Sequence, residues 1–350
     1  MPDPSGGPAL KSRVDRALLA FAEQETGLLV AVDAELEPVA EQLRAAVAEG
    51  KRLRAAFCYW GWRATGQPDS EAAVRAAAAM ELVHAAAVVH DDLIDDSPIR
   101  RGAPTVHLAL RHAVPDGPER DARGRALAML TGDLLMSWAG QLFAGCGLPG
   151  AYLARARPLW ATLARELVAG ECLEILRTGA APGADRSVEI IRYKTAKYTV
   201  EHPLHLGALL GGGPPALLAA FTAYGVPLGE AFQLRDDLLG VFGDPRRTGK
   251  SNLDDLAGSK PTALLAHALA GATPADRARL RGLLGRQDLG AAELDELREV
   301  MVRSGARARV EEMIGARTAA ARAALARAAL PRGVADALSD LVAAATARTC

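Results

Sequence analysis

Aromatic residues make up only 4% of this 350-residue chain. Strands are usually marked by β-branched and aromatic side chains, and the Ala- and Leu-rich runs found here instead favour helix. An excess of one charge is missing too: 41 basic residues stand against 42 acidic ones, a net charge of −1. Without a basic excess there is no bulk electrostatic footprint for nucleic acid. Cysteine is scarce. Cys58, Cys146, Cys172 and Cys350 have no metal-site spacing and read as reduced thiols in a cytoplasmic protein. No uninterrupted apolar run reaches the length of a membrane span. The Pro/Gly-rich start, Met1–Ala9, lacks the basic-then-apolar order of a signal peptide and reads as a flexible tail.

Half of the residues are hydrophobic, ample for a large core. Helical periodicity predicts helices over Leu10–Glu25, Val32–Glu49, Leu53–Thr65, Glu71–Asp96, Arg123–Ala144, Ala151–Arg177, Ser187–Leu210, Pro215–Phe242 and Pro261–Leu269, with more to Ala345. Breakers fall at Val114–Pro118, Gly179–Gly183 and Gly211–Pro215, none of them long enough for an interdomain linker. The expectation is one all-α domain over residues 10–350, a large helical bundle around a central cavity. The Arg/Ala-rich last third reads as packed helices with a solvated face.

Two acidic clusters stand out. Asp91-Asp92-Leu93-Ile94-Asp95-Asp96 closes the apolar stretch Met80–His90, and Asp236-Asp237 follows Ala231–Leu234. Carboxylates crowded at a helix end repel one another, and a hard divalent cation with oxygen ligands relieves that. Arg100 and Arg101 follow the first cluster directly. Acids, metal and arginines together point to a phosphorylated substrate.

The residues His90–Gly102, with DDxxD followed by RRG, and Phe232–Asp244 resemble the two aspartate-rich motifs of trans-type isoprenyl diphosphate synthases, the polyprenyl synthetase family. The resemblance runs from Gly50 to Thr262, and Tyr198–Gly207 is similar to bacterial geranylgeranyl diphosphate synthases. It implies the isoprenoid synthase type of all-α bundle, a homodimer, and Mg²⁺, three ions with substrate bound. By that resemblance Asp91, Asp92, Asp95, Asp236 and Asp237 ligate metal. Arg100, Lys194, Lys250 and Lys260 contact an allylic diphosphate (dimethylallyl, geranyl or farnesyl). Lys51 and Arg54 of a GKxxR-like segment, with His84 and Arg101, hold isopentenyl diphosphate. Thr195 and Gln233 line the reacting centre, beside Lys194.

The implied reaction is ionisation of the allylic diphosphate, attack by the double bond of isopentenyl diphosphate, and loss of a proton to the released pyrophosphate. The segment Gly243–Lys260, with Asp254 and Asp255, reads as a closing lid. His90 reads as a packing or carboxylate-orienting residue, Lys197 as solvent-facing, and Trp60, Trp62, Trp138 and Trp160 as core. Four positions depart from the pattern: Gly240 stands for a third aspartate, Ala55 for Pro, Glu171 for Gln, and Pro261 for a basic residue. Either Asp244, one turn past Gly240, substitutes through water for that third aspartate, or that metal is held by fewer direct carboxylates.

Helical spacing back from Asp91 aligns Ala87, Ala86, Val83, Met80 and Ala79 along the path of the growing chain. Where short-chain members carry a bulky aromatic, this chain has Ala86 and Ala87, which implies a product longer than fifteen carbons. Met80, Trp138 or Phe143 would form the floor, and geranylgeranyl diphosphate, twenty carbons, is the expected product. The alternatives are another chain length, a terpene cyclase of the same fold, and a non-catalytic regulatory subunit. A cyclase has no use for the second diphosphate set at Lys51, Arg54, His84 and Arg101, and such subunits lose an acidic motif.

Overall fold

A computed structural model describes residues 8–179, 183–244, 258–286 and 288–346. They are almost entirely helical, as expected, and fall into two compact units. The first comprises the residues up to Arg157 with Pro203–Gly213; the second comprises Pro158–His202 and the residues from Pro214 onward.

The first unit holds α1 (Pro8–Val30), a 3-10 turn (Ala34–Leu36), α2 (Glu37–Ala48), α3 (Leu53–Arg63), α4 (Glu71–Ile94), the short α5 (Val106–Arg111) and α6 (Arg120–Ala144). It also takes the start of α7 (Gly150–Arg177) and nearly all of α9 (His202–Gly211). α4 is the centre. Ser70 caps it, its side chain accepting from the Ala73 amide. Its 24 residues span about 36 Å and are buried nearly all round against α6, α3 and α1. By length and composition α4 could cross a membrane, yet 72% of its most apolar window is buried inside the protein, as in a core helix.

α4 ends at Ile94, two residues short of the sequence expectation, with Asp95 as C-cap and Asp96 in the left-handed region (φ 53°). A tight hairpin follows: β1 (Ile99–Arg100) pairs antiparallel with β2 (Ala103–Pro104). Arg101 (φ 54°) and Gly102 (φ 79°) form its turn, and two positive φ angles in succession match the twist of a two-residue hairpin. Periodicity over so short a span predicted neither this hairpin nor α5.

The second unit holds the remainder of α7, α8 (Ala184–Ile190), a π-helix (Ile191–Glu201), α10 (Pro215–Phe242), α11 (Ala263–Gly271), α12 (Pro274–Leu283), α13 (Ala291–Arg303), α14 (Ala306–Arg327) and α15 (Arg332–Thr346). Leu234, Leu238 and Val241 of α10 share a core with Leu264 of α11, Leu297 and Val300 of α13, and Val310 and Ile314 of α14. α10 begins at Pro215, as the Pro214-Pro215 pair predicts.

The helix expected over Ser187–Leu210 is instead three segments, α8, the π-helix and α9. The His202 amide reaches back five residues to the Lys197 carbonyl, and Pro203, which has no amide to donate, lies at the restart of the α-helical ladder.

Candidate active site

In the first unit the hairpin determines where the basic residues lie. Its turn folds Arg100 back onto α4, where Nε donates to Asp92 Oδ1 and Oδ2 at 2.9 and 3.1 Å. A second nitrogen of Arg100, Nη2, bonds Asp92 Oδ1 and lies 3.6 Å from Asp91 Oδ2. The Asp92 side chain is 5% exposed and the Asp91 side chain 24%. Burial lowers the Arg100 pKa, but the hydrogen bond to Asp92 and the charges of Asp92, Asp91 and Asp95 raise it overall.

Arg101 points the other way, donating from Nη1 to the Glu49 carbonyl at 2.7 Å. That carbonyl also accepts from Arg52, which enters α3 with φ 54° and is otherwise held by Asp15 and the Val47 carbonyl. Arg52 is thus a structural residue inside the GKxxR-like segment, while Arg54 is buried and Lys51 exposed. His84, two turns before Asp91 on α4, is partly buried. Burial, then the charges of Arg54, Arg101, Arg100 and Arg52, hold its pKa well below the usual histidine range. Four guanidiniums acting on one imidazole form a concentration of positive charge suited to a multivalent anion.

Glu81 escaped sequence reasoning. It is buried on α4 and accepts from the Ala55 amide at 2.9 Å, capping the first turn of α3 beside Arg54. The signal was an acid inside an otherwise apolar run. His90 packs against α6 and also meets a carboxylate: Nε2 lies 3.1 Å from the Met129 carbonyl and 3.4 Å from Asp133 Oδ1, and Gly132 leaves room for its ring. Met80, Val83 and Ala86 are buried on α4 and Ala87 is half-buried. Trp62, Trp138 and Phe143 are buried, while Trp60 and Trp160 are only half-buried.

In the second unit the π-helix carries Lys194 and Thr195. It is pressed on two sides at positions where only glycine fits. A Cβ on Gly170 of α7 would strike the Lys194 backbone, and one on Gly229 of α10 would strike Ala196. Lys194 Nζ donates to Glu174 Oε1 at 2.5 Å and lies 2.9 Å from Glu171 Oε2. Lys260 Nζ approaches the same Glu174 oxygen at 3.8 Å. Glu171, one of the departures noted above, thus supplies a second carboxylate to Lys194. Thr195 Oγ1 donates to Gln233 Oε1 at 2.9 Å, and Gln233 Nε2 to Asp237 Oδ1 at 2.8 Å. Asp237 is buried and Asp236 half-buried one position earlier on α10.

Lys197 does not face solvent as expected. It lies 3.3 Å from Glu166 and 3.1 Å from Glu201, and His202 meets the same Glu166 oxygen at 2.8 Å. α10 ends at Phe242 with extended backbone at Gly243, so the exposed Asp244 lies off the helix rather than one turn beyond Gly240. Lys250, Asp254 and Asp255 lie outside the described residues, as does most of the expected lid.

The donor set suits magnesium by its chemistry: each acidic cluster offers carboxylate oxygens alone, and the second is joined by hydrogen bond to Gln233. An all-α fold bearing two aspartate clusters, each with lysine or arginine on its own unit, defines an isoprenoid synthase. The polyprenyl synthetase family model matches residues 37–301. The chain is 31% identical over 249 residues to a short chain isoprenyl diphosphate synthase of Methanothermobacter thermautotrophicus, covering 69% of this chain and 70% of that one. It is 33% identical over 254 residues to the (2E,6E)-farnesyl diphosphate synthase of Mycobacterium tuberculosis, covering 72% and 66%. The crystal structure of a geranylgeranyl pyrophosphate synthase from Corynebacterium glutamicum, complexed with isoprenyl diphosphate and magnesium, superimposes with a TM-score of 0.93. That match has 34% identity and covers 97% of this chain and 99% of that one. Other matched relatives are named geranylgeranyl, geranylfarnesyl and octaprenyl diphosphate synthases. The chain belongs to the polyprenyl synthetase family: it is a polyprenyl diphosphate synthase, a prenyltransferase of a family that uses isopentenyl diphosphate and an allylic diphosphate.

Proposed function

We propose that the chain makes geranylgeranyl diphosphate by head-to-tail condensation, as a magnesium-dependent homodimer in the cytoplasm. The observation that carries the chain length is the small pair Ala86-Ala87 on α4, with the larger Met80 fully buried further back. In this reading the growing chain passes the small Ala86 and Ala87 and is stopped by Met80, which admits more than fifteen carbons.

In this reading Lys51, Arg54, His84 and Arg101 hold isopentenyl diphosphate, supported by the concentration of guanidiniums about His84. Lys194 and Lys260, with Lys250 and Arg100, hold the allylic diphosphate and stabilise charge as its C–O bond breaks. Diphosphate oxygens replace Glu174 and Glu171 on Lys194. Thr195 and Gln233, hydrogen-bonded to each other, present oxygens to the allylic cation. Magnesium held by Asp91, Asp92, Asp95, Asp236 and Asp237, three ions with substrate, would neutralise diphosphate charge. The departing pyrophosphate takes the proton.

Product analysis tests this. The purified protein is given Mg²⁺, isopentenyl diphosphate and each allylic primer in turn. A single twenty-carbon diphosphate is expected. Longer products would discard Met80 as floor, and a hydrocarbon released from geranylgeranyl diphosphate without elongation would identify a cyclase.

A further inference from the structure

A groove of about 640 Å³ opens on the second unit between α8, the π-helix, α11 and α14. None of its lining residues belongs to the set assigned to the condensation. Arg186, Arg192, Arg309 and Arg317 enter it from three different elements, and His267 joins them from α11.

The arrangement is built from beneath. Glu230 of α10, 5% exposed, is bridged by two guanidiniums at once. Arg192 meets its Oε1 at 2.8 Å, and Arg317 donates from Nε to its Oε2 at 2.7 Å. One carboxylate between two arginines leaves a net positive charge and fixes both forks in place, with donors left over on each. Carboxylates offset this in part, and Arg309 itself donates to Glu312 at 3.0 Å. Glu189 is engaged by Arg177 at 2.7 Å, which leaves Asp185 as the remaining acidic lining residue. The buried Nε2 of His267 has no hydrogen-bond partner. Burial and the nearby Arg309 lower the pKa of this imidazole, which keeps it neutral and able to donate one N–H. The volume falls within the range of small-molecule sites, and Val188 and Met313 add an apolar wall.

We propose that this groove binds a phosphate-bearing anion, gripped by Arg186 and Arg309 at the rim and by the Glu230-anchored pair Arg192 and Arg317 within. Planar guanidiniums fixed by a buried carboxylate suit the two-pronged recognition of phosphate oxygens. The π-helix and α10, which supply Arg192 and Glu230, also carry Lys194 and Gln233, so this groove and the proposed condensation site share their supports.

The test is calorimetric titration of the full-length protein with inorganic diphosphate in magnesium-free buffer. The double variant Arg186→Ala/Arg309→Ala, altered only at exposed positions, is compared with wild type and with Lys194→Ala. The proposal expects a binding event weakened at least tenfold in the double variant, kept in Lys194→Ala, and accompanied in wild type by a shift of the His267 ring resonances. Turnover of the double variant without added diphosphate stays at the wild-type level. An unchanged isotherm in the double variant, or no binding by wild type other than that lost with Lys194, would overturn it. Vesicles of anionic phospholipid run in parallel identify the source of the phosphate. Pelleting of wild type but not of the double variant means a lipid headgroup, and no pelleting means a free anion.

Discussion

Lys194 donates to Glu174 across 2.5 Å, so the ammonium of the π-helix is already occupied by a carboxylate. In the proposed reaction an incoming allylic diphosphate would take it from Glu174. Replacing Glu174 by Gln removes the competing charge, and the allylic diphosphate is expected to bind tighter in the absence of metal, by about tenfold or ~1.4 kcal/mol. Lys194→Ala goes the other way and is expected to lower kcat/KM by roughly 10² or more, as for loss of a transition-state charge partner. Equal or weaker binding by Glu174→Gln would show that the pair is not in competition with substrate.

Asp91 and Asp92 adjoin in sequence but differ in burial, 24% against 5% side-chain exposure, because Arg100 is folded onto Asp92. Asp92→Ala leaves a half-buried guanidinium without its main partner and is expected to cost about 3 kcal/mol of stability. Asp91→Ala is expected to cut turnover by orders of magnitude with the melting temperature nearly unchanged. Urea melts and steady-state rates on the two variants separate these roles, and equal losses of stability would refute the distinction.

Gly229 is pressed against Ala196 of the π-helix. Gly229→Ala inserts a methyl where there is no room, with an expected cost of about 1–3 kcal/mol. The added atom displaces the segment that carries Lys194 and Thr195, so kcat should fall further than loss of folded protein explains. A variant of wild-type stability and rate would mean that this contact is loose.

His84 gives a pH signature. Its folded pKa is depressed below the ordinary 6.5 by burial and four arginines. Below pH 6.5 the unfolded chain takes up a proton at this position that the folded protein refuses, so stability falls as the medium is acidified through that range. His107, His202 and His267 are shifted in the same direction, chiefly by burial. The melting temperature is expected to drop between pH 7.5 and 5.5, and His84→Gln should flatten the dependence by up to one proton. An unaltered slope in His84→Gln would remove this histidine from the account.

The proposed chain length rests on the small pair that includes Ala87. Ala87→Phe places a ring one turn before Asp91 and is expected to shorten the product towards fifteen carbons by chromatography of the dephosphorylated prenols. An unchanged product would show that the chain grows along another path.

Much of this protein was legible as sequence. Long Ala/Leu periods and Gly/Pro breaks determined α10 to the residue and most other helices to within a few, because each depends on neighbours close along the chain. The acidic clusters and the RRG arginines were legible because unusual charges stand at the ends of apolar runs. What only the tertiary structure decided involves partners remote in sequence or backbone that departs from the common periods. Glu81 caps α3 from a different helix. Lys197 is drawn inward by Glu166 and Glu201. The stretch Ile191–Glu201 takes π geometry between two glycines that lie 20 or more residues from Lys194. Helical periodicity depends on residues within a turn or two, whereas close approach, burial of charge and hairpin return depend on which distant segments meet, and only the folded chain specifies that.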